Sequence, residues 1–139
     1  MPPTIATVQE FMSPSPETVE HDERLSEARS RMAALRIRHL PVLREGQLVG
    51  VLTDRDVLLA ESLLGDDPQR AANLKVRQAM TEVVFTCGPH AHLHAVADQM
   101  ANDKIGSAIV VDPEHPSKVL GVFTTVDALR ALARYAPQE

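Results

Sequence analysis

The sequence predicts a mixed α/β fold, of the α+β kind, in which one β-α-β-β-α unit occurs twice. Three observations lead to this prediction. The chain has 139 residues, of which 44% are hydrophobic but only 3% aromatic, so any core that it builds must be largely aliphatic. Its second half repeats the first at nearly constant spacing. Within each half, the hydrophobic residues alternate between helix-like and strand-like periodicities.

The internal repeat has an offset of 68 residues, from Met12 to Met80, which changes to 71 residues beyond one loop. The first offset superimposes Met12-Ser13 on Met80-Thr81, Leu25 on Leu93, Ala28 on Val96, Met32 on Met100, Ile37 on Ile105 and Val42 on Val110. The second superimposes Gly50-Val51-Leu52-Thr53 on Gly121-Val122-Phe123-Thr124, and Asp56 on Asp127. The additional residues fall in Asp112–Ser117, which has the composition of a hairpin loop. We therefore predict repeat 1 at residues 6–64, a polar linker at 65–73 and repeat 2 at 74–135.

The first half of each repeat should contain a short extended segment followed by an amphipathic helix. The extended segments are predicted at Thr18-Val19 and at Val84-Phe85-Thr86. Helical spacing then relates Leu25, Ala28, Met32 and Leu35 in repeat 1, and Leu93, Val96 and Met100 in repeat 2. We expect these helices to begin near Asp22 and Pro89, because both residue types favour helix starts.

A β-hairpin and a second helix complete each repeat. The hairpin strands are predicted at Leu40–Leu43 and Leu48–Leu52 in repeat 1, and at Ala108–Val111 and Val119–Phe123 in repeat 2. The closing helices are predicted near Asp54–Leu64 and Val126–Tyr135. On these helices we expect Val57, Leu58, Leu129 and Leu132 to remain exposed, which predicts a homodimer.

Composition excludes several classes of function. The net charge is −5 and no block of Lys or Arg stands out, so the electrostatic footprint of a nucleic-acid-binding protein is missing. One cysteine excludes an internal disulfide and a multi-cysteine zinc site. The N-terminal segment lacks the pattern of a signal peptide, and no apolar run is long enough to span a bilayer. We expect a cytoplasmic protein with no membrane or nucleic-acid partner.

The ordered motifs of the chain resemble those of CBS repeats, which are named after cystathionine β-synthase. Along the chain, the motifs occur in the order Met-Ser-Pro, Thr-Val, an amphipathic helix, Arg38-His39-Leu40-Pro41-Val42 and Gly50-Val51-Leu52-Thr53-Asp54-Arg55-Asp56. The resemblance covers the chain from about Ala6 to Leu132 and occurs twice, as in a CBS pair or Bateman module. It implies a pseudo-twofold disc of two repeats, dimerisation, and an adenosine-containing ligand such as AMP, ADP, ATP or S-adenosylmethionine.

The resemblance also implies which residues contact the ligand. They are Thr18, Val19, Ile37, Arg38, His39, Pro41, Thr53, Asp56, Ile105, Ser107, Thr124 and Asp127. Aliphatic side chains would enclose the adenine. A carboxylate one turn into a helix has two oxygens that can accept both ribose hydroxyls. The same Thr and Asp residues could instead serve only as helix caps.

The resemblance also implies phosphate contacts from Arg38 and His39, and the residue types suit this role, since guanidinium groups bind phosphate bidentately and histidine adds charge near neutral pH. These two residues could also be simple solvated charges. Repeat 2 departs from this pattern, since Gly106-Ser107 stand at the equivalent place with Lys104 nearby. The two sites are therefore not expected to be equivalent, and one of them could be empty.

Two other groups of residues are candidates for chemistry. His90, His92, His94 and Cys87 resemble a metal cluster in sequence, but a helix start would place His90 with His94 and turn His92 elsewhere. We therefore predict no metal site. No nucleophile–base pair and no P-loop is present, so we predict that the chain is not an enzyme. The hypotheses left open are a nucleotide-sensing regulatory module acting in trans on an unidentified protein, a ligand-free oligomerisation module, and a metal- or redox-responsive module.

Overall fold

The computed structural model describes residues 6–64 and 67–135. In chain order the elements are a 3-10 turn (Val8–Glu10), β1 (Ser13–Pro14), β2 (Val19–Glu20), α1 (Leu25–Leu35), β3 (His39–Arg44), β4 (Gln47–Thr53), α2 (Asp54–Leu64), α3 (Pro68–Asn73), α4 (Val76–Ala79), β5 (Thr86–Cys87), α5 (Leu93–Asp103), β6 (Ser107–Val111), β7 (Val119–Thr124) and α6 (Thr125–Tyr135). This arrangement confirms the mixed α/β fold and its repeated β-α-β-β-α order.

The chain forms two compact units that do not coincide with its two sequence repeats. Of the described residues, 17–84 form the middle unit, and 6–16 together with 85–135 form the terminal unit. Each unit thus contains most of one repeat and the opening segment of the other. The two repeats thus exchange their opening segments, and these two segments occupy equivalent places in the two units.

The middle unit contains a three-stranded sheet in the order β2-β3-β4. Strands β2 and β3 are parallel, whereas β3 and β4 form an antiparallel hairpin. The hydrophobic core of this unit consists of Val19, Leu25, Ala28, Met32, Leu40, Val42, Leu52, Val57 and Val76. Its side chains are aliphatic, as the composition predicts.

The terminal unit contains a four-stranded sheet in the order β1-β7-β6-β5. Strands β5 and β6 are parallel, β6 and β7 form the second hairpin, and β1 adds an antiparallel edge. The buried core of this unit consists of Val8, Val96, Met100, Ala108, Val110 and Phe123.

The exchanged opening segments are held by equivalent contacts in both units. Ser13 pairs with Val122 in the terminal unit, and Thr81 pairs with Val51 in the middle unit. Val8 and Val76 are both fully buried. A Cβ atom added to Gly50 would lie 2.9 Å from the carbonyl oxygen of Thr81, so a glycine is needed where this segment crosses the strand.

The first helix of each repeat begins later than the sequence predicts. Helices α1 and α5 begin at Leu25 and Leu93, and not near Asp22 and Pro89. The residues that precede them, Arg24 and His92, have extended backbone conformations and bridge to the exchanged segments. Tertiary pairing therefore keeps these turns out of the helices.

The other predicted elements compare well with the structure, with two differences. The hairpin strands and the closing helices lie where they are predicted. However, Val57 is only 5% exposed, because it faces the core of the middle unit, so its predicted exposure is wrong. Within the predicted linker, α3 forms a short helix whose first N–H groups donate to the Asp67 side chain. Gly65 and Asp66 of that linker lie outside the described residues. Among the helices of the described ranges, none combines the length and apolar character required to cross a membrane.

Candidate functional site

Most of the residues predicted to bind the ligand in repeat 1 lie at one end of the middle-unit sheet. The antiparallel register places His39 opposite Thr53, where β3 begins and β4 ends. The N–H of Asp54 donates to the carbonyl oxygen of Arg38 at 3.1 Å, which fixes the start of α2 beside this strand. The parallel register places Val19 opposite Val42, so Thr18 lies beside Pro41. The structure therefore brings these predicted residues together.

The corner between β4 and α2 is held by reciprocal hydrogen bonds. The N–H of Thr53 donates to Oδ2 of Asp56 at 3.0 Å, and the N–H of Asp56 donates to Oγ1 of Thr53 at 3.1 Å. Both residues thus act as caps, which is the simpler of the two roles expected for them. Asp56 is nevertheless only partly buried, so its carboxylate stays within reach of a ligand.

Thr81 is a third member of this corner that sequence reasoning missed. Its hydroxyl lies 3.3 Å from each oxygen of the Asp56 carboxylate. Thr81 belongs to the opening segment of repeat 2, which the exchange delivers to the middle unit. In the sequence, the alignment of Thr81 with Ser13 was the only indication that Thr81 has a counterpart. The structure is needed to show that its hydroxyl contacts Asp56.

The equivalent corner of the terminal unit is more closed. The N–H and the hydroxyl of Thr124 both donate to Oδ2 of Asp127, at 2.9 and 3.1 Å. The other oxygen faces Arg130 at 3.7 Å. Asp127 is only 3% exposed, so the structure gives it a buried, structural setting that its counterpart lacks.

The remaining predicted residues of repeat 2 line up as in repeat 1. Ser107 lies opposite Thr124 in the hairpin, and the N–H of Thr125 donates to the carbonyl oxygen of Gly106 at 3.1 Å. Ile37 and Ile105 are half-buried, and their N–H groups close helices α1 and α5 at 3.0 Å. Arg38 is exposed, whereas its counterpart Gly106 has no side chain. A guanidinium is therefore available at this position in the middle unit alone.

Arg38 also borders an open cleft of about 530 Å³ within the middle unit. The lining residues are Arg29, Met32, Ala33, Arg36, Ile37, Arg38, Asp54, Val57, Leu58 and Glu61. Arg29 forms an ion pair with Glu61 at 3.2 Å. Among the described residues, no carboxylate pairs with Arg36 or Arg38, so these two cations face the cleft without an acidic partner.

Two of the residues predicted to contact the ligand are buried in the core, and the segment that precedes Val19 has an unexpected partner. Val19 is 1% exposed, and Pro41 is also fully buried. The guanidinium of Arg31 donates to the carbonyl oxygen of Thr18 at 2.7 Å and to Oε2 of Glu17 at 3.0 Å. The repeat alignment gave no signal for Arg31, because Gln99 stands at its equivalent.

The histidine cluster differs from its predicted geometry. The rings of His92 and His94 stack with centroids 6.3 Å apart, so the expectation that His92 turns away from His94 is wrong. The cause is the late start of α5, which leaves His92 as the residue before the helix. Within residues 6–64 and 67–135 no three His, Cys, Asp or Glu residues are grouped to hold a metal ion.

Burial raises the pKa of the Cys87 thiol to about 11, which keeps it protonated and weakly nucleophilic at neutral pH.

Comparison with known proteins identifies relatives over nearly the whole chain. A family model described as CBS domain matches residues 8–62 and 76–134. The CBS domain-containing protein YhcV of Bacillus subtilis is 29% identical over 78% of this chain and 74% of its own length. The human 5'-AMP-activated protein kinase subunit gamma-3 is 34% identical over 70% of this chain but 20% of its own length.

A solved structure with the same fold carries ligands. The CBS domain pair of protein MJ0100, in complex with 5'-methylthioadenosine and S-adenosyl-L-methionine, has a TM-score of 0.78 and 28% sequence identity. The match covers 91% of this chain and 99% of that one. Of several other curated relatives this chain spans only 20 to 41% of the length, including 23% of two proteins named homoserine O-acetyltransferase.

Proposed function

The chain belongs to the CBS domain family, and from that premise we propose that it is a regulatory module that binds an adenosine-containing ligand through its middle unit. Ligand binding would change the affinity of the module for a separate partner protein, which makes the regulation act in trans. Only a ligand that binds two states of the module with different affinity can produce such a change.

The observation that carries this proposal is the partly exposed carboxylate of Asp56 at the strand–helix corner. Its Oδ2 accepts the N–H of Thr53, which fixes the side chain, and Thr81 is its other described partner. Ribose hydroxyls are matched to such a carboxylate, because each can donate to one of its oxygens. The adenosine moieties bound to the related CBS pair of MJ0100 support the same ligand class.

The cations beside this corner favour a phosphorylated adenosine. Arg38 is exposed at the start of β3, and the N–H of Asp54 holds its backbone against α2. A guanidinium can bind two phosphate oxygens at once. We therefore place AMP, ADP or ATP ahead of S-adenosylmethionine, whose sulfonium group carries a positive charge.

Exposed apolar side chains support a homodimer. Leu58, Leu59 and Leu63 on α2 are 66%, 59% and 77% exposed, and Leu129 and Leu132 on α6 are 63% and 64% exposed. Apolar faces of this kind mark interfaces, and a twofold dimer is the commonest closed assembly. The same faces also favour a second candidate function, a ligand-free module that only joins copies of itself.

Light scattering tests the dimer. The expected mass is twice 15.2 kDa, and Leu58→Asp combined with Leu132→Asp should shift it toward the monomer. Val83→Asp is the matched control, because Val83 is 83% exposed and lies outside both helices. A monomer mass that does not change with concentration would contradict the dimer.

Native mass spectrometry of the purified chain tests the ligand. We expect added mass corresponding to one adenosine-containing molecule per middle unit after incubation with AMP or ATP, and its loss in Asp56→Ala. We propose no catalytic step, so the bound nucleotide should be recovered chemically unchanged. If neither nucleotide nor S-adenosylmethionine binds while the dimer persists, the ligand-free function replaces the proposed one.

A further inference from the structure

The opening strand of the middle-unit sheet lacks a hydrogen bond that its counterpart makes. In the terminal unit, the N–H of Ile109 donates to the carbonyl oxygen of Phe85 at 2.9 Å, just before β5. The repeat places Pro41 and Glu17 at the corresponding positions. Proline has no N–H, so this bond cannot form in the middle unit.

The missing bond affects a strand that has little else to hold it. Strand β2 contains only Val19 and Glu20 and lies at the edge of its sheet. Such a short edge strand has few ladder bonds, so losing one at its start would leave the backbone of Thr18 poorly fixed. Thr18, which is only half-buried, is among the residues that the family resemblance predicts to contact the ligand.

Arg31 supplies contacts at this point from helix α1. One guanidinium nitrogen donates to the carbonyl oxygen of Thr18 at 2.7 Å and to Glu17 at 3.0 Å, and the other donates to Glu23 at 3.1 Å. The Arg31 side chain is 33% exposed, so water screens these bonds only in part. A planar guanidinium can reach three acceptors at once, which a lysine ammonium on its flexible stem does not reproduce.

The terminal unit has no need of such a contact and does not make one. The residue equivalent to Arg31 is Gln99, which donates to Asp103 within its own helix α5. Strand β5 keeps its ladder bond through Ile109. The arginine is therefore present in the unit where proline removes the ladder bond, and glutamine stands where the bond is intact.

We propose that Arg31 is a positioning residue for the adenosine-binding site of the middle unit, where its bonds to the Thr18 carbonyl oxygen and the Glu17 side chain compensate for the hydrogen bond that Pro41 cannot donate to the Glu17 carbonyl oxygen. This inference rests on the proposed function. Arg31 fixes the Thr18 backbone before the ligand arrives, so binding does not have to order it.

The first test compares Arg31→Gln with the matched control Gln99→Ala. Calorimetric titration with AMP should show roughly a tenfold loss of affinity in Arg31→Gln and less than about a twofold change in the control. In ligand-free protein, the amide of His21, which donates to Leu43 at 2.9 Å, should exchange with solvent faster in Arg31→Gln alone. Circular dichroism confirms that both variants fold.

The second test restores the missing donor. Pro41→Ile introduces at position 41 the residue found at Ile109 in repeat 2. In the Pro41→Ile background, Arg31→Gln should reduce AMP affinity by only about twofold, because the backbone bond then holds Thr18. A purely global stabilising role would give the same loss in both backgrounds.

The outcomes separate this inference from the proposed function. If AMP binds and Asp56→Ala weakens it, but Arg31→Gln leaves both affinity and the exchange of His21 unchanged, only the positioning role is overturned. If the wild-type chain binds no adenosine-containing ligand, the proposed function fails, and the positioning role falls with it.

Discussion

The carboxylates of Asp56 and Asp127 occupy equivalent positions in the two units but have different surroundings. Asp56 is partly exposed and meets the hydroxyl of Thr81, which arrives on the exchanged segment. Asp127 is 3% exposed and takes the hydroxyl of its own Thr124. The hydroxyl that contacts the carboxylate thus comes from the exchanged segment in the middle unit and from the preceding strand in the terminal unit. The same motif therefore caps a helix in both units, but only in the middle unit does its carboxylate stay partly exposed.

The comparison extends to the cations and to the opening strands. The middle unit has Arg38 and Arg31, where the terminal unit has Gly106 and Gln99. Arg38 adds an exposed positive charge at a position where Gly106 has no side chain. Arg31 bonds to the segment before the edge strand, whereas Gln99 bonds within its own helix. All of these differences make the middle unit the better candidate for the tighter site.

The largest expected effect separates the two carboxylates by ligand affinity. Asp56→Ala should weaken AMP or ATP binding roughly 10- to 100-fold, because it removes two charge-assisted hydrogen bonds from the ribose. Asp127→Ala should have a smaller effect on the tightest site. Calorimetric titration measures both, with circular dichroism as the folding control. Loss of binding in Asp127→Ala alone would reverse the assignment of the tighter site to the middle unit.

A smaller effect should distinguish phosphate from nucleoside recognition. Arg38→Ala should weaken ATP binding by about tenfold while leaving adenosine nearly unaffected, because the guanidinium acts on phosphate. Arg44→Ala, at the opposite end of β3, is the control and should change neither affinity. Equal losses for ATP and adenosine would show that Arg38 acts on the shape of the site and not on phosphate charge.

The smallest expected difference concerns stability without ligand. Asp127→Ala should lower the free energy of unfolding by about 1 kcal/mol more than Asp56→Ala, since a buried cap leaves its donors unsatisfied and an exposed one can be replaced by water. Urea denaturation followed by circular dichroism measures both. Equal losses would mean that the burial of Asp127 has no energetic consequence.

Local signals in the sequence were sufficient for the repeated elements. Hydrophobic periodicity predicted the hairpins and α2, and the Thr-x-x-Asp spacing predicted both corners. Helix α3 also has readable signals, with Asp67 as cap and Pro68 following it. The segment was nevertheless predicted as a linker, because its polar composition is equally typical of one.

Long-range contacts were not accessible in the same way. The Thr81–Asp56 contact joins residues that lie 25 apart in the chain, and it depends on which unit receives the exchanged segment. The role proposed for Arg31 depends on a backbone N–H that Pro41 lacks, ten residues further along the chain. No sequence motif around Arg31 therefore indicates this role. Val57 was expected to be exposed because helical periodicity alone does not define which face of α2 packs on the sheet.

The exchange of opening segments also imposes an order on folding during synthesis. The middle unit is continuous in sequence, so its core is complete once residue 84 has left the ribosome. Val8, Phe11 and Met12 pack on elements that are made later than the middle unit, so they must wait for α5 and β7. At about 5–20 residues per second this delay is about 2–8 seconds. During that time the nascent chain carries a folded middle unit and an apolar N-terminal segment available to chaperones.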